Sequence, residues 1–151
     1  AEAELKEISS NSSSFSTNDL IKHNKVVFCN GENALHVLPS LIDVIPEAKL
    51  NLVIYNLRKE DFDEAECLLV DSTPSTTNER ILKGIICATN GQSKGNQEMI
   101  KQGQSHFEYV GSSSSECDTI PGRQSMASNY FLLEKFDEAN VYFSSIESYM
   151  R

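Results

Sequence analysis

Phe62-Asp63-Glu64-Ala65 and Phe136-Asp137-Glu138-Ala139 are the same tetrapeptide, and each follows a short charged turn behind an apolar, helix-like run. The copies stand 74 residues apart, a little over twice the roughly 34-residue period of a paired-helix repeat, which leaves room for one slightly enlarged unit between them. A small residue is needed where two helices cross, because a larger side chain pushes the axes beyond about 8–10 Å. Ala65 and Ala139 fit that role. Phe62 and Phe136, three residues earlier, are expected to fill the wedge between successive hairpins, each burial contributing about 1.5–3 kcal/mol. The neighbouring acids, Asp63-Glu64 and Asp137-Glu138, sit side by side in sequence but do not face each other on a helix. They suit a helix start, where carboxylates complement the dipole, better than acid–base chemistry.

Working outward, Leu50, Val53, Ile54 and Leu57 recur at i, i+3, i+4 and i+7, one amphipathic face. Pro46 suits the first turn of that helix, and Lys59-Glu60-Asp61 makes the turn into the next. Asp61 with Glu64, and Thr76 with Glu79, have the form of capping boxes. Ile81, Leu82, Ile85 and Ile86 stripe the following helix, with Gly84 where a neighbouring helix approaches closely. Asn90-Gly91 is expected to turn the chain, with Gln92 to Gly95 as a small insertion, and Gly111 with Ser112 to Ser115 as a flexible connector. Upstream, a helix is expected from Phe15 to about His23 or Asn24, then a turn at Asn30-Gly31 and a helix from Glu32 to Asp43 that Pro39 kinks or splits.

These patterns predict an all-α, tetratricopeptide-like α-solenoid of stacked antiparallel helical hairpins. Its segments are the end of a truncated helix at 1–8, a Ser-rich connector at 9–14, a divergent hairpin at 15–45, a hairpin repeat at 46–74, a second with its insertion at 76–111, a connector at 112–118 and a third repeat at 119–151. Such a fold works by offering an extended surface to other proteins.

Composition narrows the function further. The 151 residues carry 22 acidic and 13 basic side chains, a formal charge of −9, without a Lys/Arg cluster. That argues against nucleic acid, whose phosphates demand a basic patch, and against acidic surfaces. No apolar run approaches the roughly 20 residues of a spanning helix and no basic start precedes an apolar stretch, so the expectation is a cytoplasmic chain without membrane insertion. Cys29, Cys67, Cys87 and Cys117 are scattered without ligand spacing, so no metal or cofactor is expected. Cys29 with His36 and Cys87 with His106 lack an orienting acid, and Gly91 to Gly95 lacks the phosphate-loop spacing. No enzyme and no small-molecule substrate are expected.

Two stretches are distinctive. They are Val44-Ile45-Pro46-Glu47-Ala48 with the following Leu50 to Tyr55, and Ser115 through Gln124, which includes Ile120-Pro121-Gly122-Arg123. Together with Leu20 to Asn24, Val37 to Pro39, Ile81 to Gly84 and Phe131 to Leu133, they resemble the intraflagellar transport protein 56 family, also called tetratricopeptide repeat protein 26. The resemblance implies an internal fragment of a longer, non-enzymatic subunit of the intraflagellar transport B complex. It also implies partners among other B-complex subunits and ciliary cargo proteins, a role in cilium assembly and motility-related cargo transport, and a place at the cilium and basal body. First helices of such repeats line the concave face, so Arg58, Asn78, Gln124 and Ser128, polar breaks in apolar helices, are the candidate partner contacts. An alternative is a co-chaperone or generic scaffold binding peptide tails, but a carboxylate clamp needs Lys and Asn where this chain has Leu50, Ile54, Ile81 and Ile85.

Overall fold

The computed structural model describes residues 15–149; the expectations for 1–8 and 9–14 and the last two residues of the chain lie outside the described residues. Within it every regular element is helical: α1 (Phe15–Phe28), α2 (Ala34–Val37), a 3-10 turn (Pro39–Leu41), α3 (Pro46–Arg58), α4 (Phe62–Leu69), α5 (Thr77–Lys94), α6 (Gln97–Ser112), α7 (Ile120–Leu132) and α8 (Phe136–Glu147). The fold is therefore all-α and of the tetratricopeptide-like kind. The chain divides into two compact units, one ending at Leu68 and one beginning at Leu69.

In the first unit Val26, Leu38, Leu41, Ile45 and Leu52 form one buried cluster with Ala34 and Ala48, and Tyr55 and Leu68 pack against it. Helix α1 runs to Phe28, beyond the His23 or Asn24 expected from sequence, because Val26 is a core residue at 5% exposure and must stay in helical register. The helix expected from Glu32 to Asp43 is instead a short α2 and a 3-10 turn opened by Pro39. Its start is delayed because Asn33 is left-handed at φ 60°. Nearby, Gly31 holds φ 86°. A Cβ there would come within 2.8 Å of the Tyr55 ring, so both the backbone and the packing require glycine.

In the second unit α5 packs along α6, α6 along α7 and α7 along α8. The α5/α6 crossing rests on small residues, since a Cβ on Gly103 would lie 3.0 Å from the Ala88 nitrogen and the Gly84 carbonyl, and one on Gly84 would lie 2.9 Å from Phe107. Contrary to the sequence expectation, Asn90-Gly91 is not a turn. The helix continues to Lys94, because Asn90 is buried and Gly91 gives the space that Ile100 of the next helix occupies. Similarly, Gly111 and Ser112 belong to α6 rather than to a connector, and a Cβ on Gly111 would collide with Met126.

The starts of α4 to α7 are fixed by side chains. Thr76 and Glu79 form a full capping box, Asn96 accepts from the Glu98 and Met99 amides at 3.1 and 3.3 Å, and Thr119 accepts from Gly122 at 3.2 Å. Asp61 accepts from the Glu64 amide at 3.3 Å. Between hairpins, the Glu116 carboxylate accepts from the Thr77 hydroxyl at 3.2 Å and from the Thr119 hydroxyl at 3.0 Å. On the last hairpin Tyr130 stacks on Tyr142 at 5.6 Å, and Arg123 donates to the Tyr149 hydroxyl at 3.1 Å.

Four helix ends, those of α1, α3, α5 and α7, share one device. Asn30, Glu60, Gly95 and Glu134 all take positive φ, between 55° and 63°. After each of them the next amide reaches back five residues: Gly31 to Val26, Asp61 to Asn56, Asn96 to Gly91 and Lys135 to Tyr130, at 2.8–2.9 Å. These are Schellman closures. Both copies of the repeated tetrapeptide begin two residues after a left-handed glutamate.

Ala65 and Ala139 are buried at 0% and 3%. Phe62 is half-buried, but Phe136 is 56% exposed. Phe136 meets Phe131 edge-on at 5.5 Å within its own hairpin; no hairpin follows it among the described residues, so the wedge expected there has no second wall to meet.

A left-handed L-residue costs about 1–2 kcal/mol, which glycine avoids at an entropic cost of about 0.5–1 kcal/mol. Glu134→Gly is accordingly expected to raise the urea midpoint, a gain of roughly 0.5–1 kcal/mol, while Glu134→Val lowers it. At the helix crossing, Ala139→Leu should cost about 1–3 kcal/mol by overpacking, and Glu138→Gln, on an exposed site, should leave thermal melting unchanged. Equal effects of these last two on the melting temperature would contradict the packing described.

Candidate interaction surface

The second unit carries an open groove of about 370 Å³. Ile85 and Ala88 of α5, Phe107 of α6, Phe131 and Leu132 of α7 and Phe143 of α8 supply its apolar lining. Phe131 and Phe143 are 53% and 48% exposed, so their rings face solvent rather than the core. The groove follows from the helix stripes: Ala88 and Phe107 complete the packed interior, and one further apolar turn on α7 and α8 is left over.

Polar residues in the groove are turned inward on themselves. The Thr89 hydroxyl donates to the Ile85 carbonyl at 2.8 Å, and the Ser128 hydroxyl donates to the Gln124 carbonyl at 2.9 Å. Such back-bonding satisfies the hydroxyls within their own helices. The surface left for a partner is therefore apolar and aromatic, with Gln92 as its remaining polar side chain.

Of the sequence-derived contact positions, Ser128 lines this groove. Gln124 is exposed one turn earlier on α7, and Asn78 is exposed in the first turn of α5, two turns before Ile85. Arg58 belongs to the other unit, exposed in the last turn of α3, where it lines a separate cleft. Polar breaks in the helices do not point to the residues that dominate the groove. Phe131 and Phe143 are apolar positions in excess of the buried stripes of α7 and α8, and that surplus was the available signal.

Other chemistry finds little footing. Among the described residues no group of three or more His, Cys, Asp or Glu could hold a metal ion, and no helix is long and apolar enough to cross a membrane. None of the four cysteines forms a disulfide, and Cys87 is buried at 8% exposure, which shuts its thiol away from a substrate. His106, packed beside Gly84, is held below its ordinary value of 6.5 first by burial and then by the charges of Arg80 and Lys83. Arg80 itself lies over the Tyr109 ring at 3.8 Å, so its charge is fixed in place.

Helical hairpins closed alike, small residues at their crossings and an apolar groove without a metal cluster define a helical-repeat protein of the tetratricopeptide type. Comparison with known proteins makes that specific. The family profile for intraflagellar transport protein 56 matches residues 1–151, and the intraflagellar transport protein 56 homolog of Caenorhabditis elegans is 43% identical over 130 residues, 86% of this chain and 23% of that protein. The chain belongs to the intraflagellar transport protein 56 family. It spans about a quarter of the length of the curated relative it matches (23%).

Because the fold lowers the His106 pKa, its neutral form is favoured when folded. Its contribution to stability is whole above pH 6.5 and is lost as pH falls from there toward the lower native value. His106→Gln is expected to flatten the loss of stability below pH 6.5 in urea titrations; an unchanged slope would rule out this histidine as a contributor.

Proposed function

We propose that the chain is a non-enzymatic interaction segment of the intraflagellar transport machinery, part of a B-complex subunit that acts in cilium assembly and in transport of motility-related cargo. It works in the cytoplasm, at the basal body and in the cilium. The family match along the whole of 1–151 supports the transport role, and the solvent-facing Phe131 and Phe143 support binding by surface rather than catalysis in a pocket. Its partners are other B-complex subunits and cargo proteins. The repeats run 46–74, 76–111 and 119–151, after a divergent hairpin at 15–45.

The groove takes the apolar face of a helix from a neighbouring subunit, anchored by side chains that pack on Phe131 and Phe143. Arg58, Asn78, Gln124 and Ser128 contribute at its margin or on separate faces. A co-chaperone role would require cations to grip a terminal carboxylate, and the groove contains neither lysine nor arginine.

The full-length protein carrying Phe131→Ser and Phe143→Ser tests both statements. Both positions are half-exposed, so melting should shift little. In ciliated cells the wild type is expected to co-purify other B-complex subunits and the variant to lose at least one of them. Absence of those subunits from the wild-type sample at mild salt would remove the transport role, and full retention by the variant would remove the groove.

A further inference from the structure

The first unit holds a separate cleft of about 150 Å³ between the end of α1, the turn after it and α3. Its floor is buried and apolar, formed by Val26, Ala34 and Leu38 at 5%, 1% and 1% exposure. Its walls are Val27 and Ile54, 46% and 40% exposed. A cavity of about 150 Å³ holds an apolar group the size of benzene, so one branched aliphatic side chain fits.

An arginine in an acid-free lining sets the cleft apart from the groove of the second unit, whose lining carries no charge. The protein carries a net −9, yet no aspartate or glutamate lines the cleft and Arg58 does. Arg58 is exposed, and among the described residues it has no ion pair. The next residue, Lys59, places its ammonium 5.9 Å from the centre of the Tyr55 ring, another lining residue. Uncharged hydrogen-bonding groups sit alongside. Asn30 is exposed, and the Asn51 amide is anchored on the His23 ring at 2.9 Å. Gly31 keeps the cleft open at one end, since a side chain there would collide with Tyr55.

We propose that this cleft docks a segment of a partner protein that carries an aliphatic side chain beside a carboxylate side chain. The aliphatic group enters between Val27 and Ile54, and the carboxylate pairs with the Arg58 guanidinium, whose two parallel N–H donors match it. The complementarity is local and opposite to the net charge of the chain, so an acidic segment repelled elsewhere gains an attraction here. An arginine that served only to offset the α3 dipole would need no apolar cavity beside it.

The inference rests on the interaction role proposed above and has its own test. Short random peptides, displayed through their C-termini so that no terminal carboxylate is free, are selected on the whole chain. The expected outcome is a peptide class with Asp or Glu next to Leu, Ile or Val. That class should bind Arg58→Glu at least about tenfold more weakly than wild type, and Val27→Asp should weaken it as well. Changing the peptide acid to lysine should restore binding to Arg58→Glu. Both substitutions are at exposed positions, and an unchanged melting temperature confirms that the fold is intact. No such class, or one indifferent to Arg58→Glu, overturns the cleft; neither outcome bears on co-purification through Phe131 and Phe143.

Discussion

A helix that ends without partners for its last carbonyls frays, and a repeat of antiparallel helices has such an end at every turn. At the ends of α1, α3, α5 and α7 the amide that follows the one residue at φ near +60° reaches back five residues. The direction in which the chain leaves each of these four helices, and so the face the next helix offers back, follows from that closure. Small residues then admit the close approach: Gly103 against Ala88 and Gly84, and Gly111 against Met126. Only after both conditions are met can the apolar stripes of α5 to α8 meet as a core.

Where local chemistry and packing agree, the sequence was readable. Pro46 at the start of α3, the Thr76–Glu79 capping box and the close approach at Gly84 are local statements, and the structure makes the same ones. Reading failed where a residue type has two uses. Asn90-Gly91 is a turn signal in isolation, but glycine also serves wherever another helix presses in, and Ile100 decides that use. The true turn employs Gly95 and Asn96, five residues later. Glu60 and Glu134 were legible only as turn charges, since nothing in a glutamate announces positive φ.

The surface was harder to read than the fold, for a physical reason. Polar breaks in apolar helices point to Ser128, yet it directs its hydroxyl into its own helix, and the groove it borders is dominated by Phe131 and Phe143. Phe136, on the last described hairpin, is 56% exposed and supports Phe131 from the side. Distinguishing a surface aromatic from a core aromatic requires knowing which stripe already fills the interior. Arg58 stands apart, because its significance lies in the acid-free apolar cleft it lines, which no single helix reveals.

Glu116 sits between the two hairpins of the second unit, with one carboxylate oxygen on Thr77 at the head of α5 and the other on Thr119 at the head of α7. The Thr119 hydroxyl is shared with the Glu116 carbonyl at 2.7 Å, so both helix starts are held to the one residue, Glu116. Local opening at one hairpin is thereby felt at the other, and backbone amides at the two helix starts should exchange with solvent as a single cooperative block rather than one layer at a time.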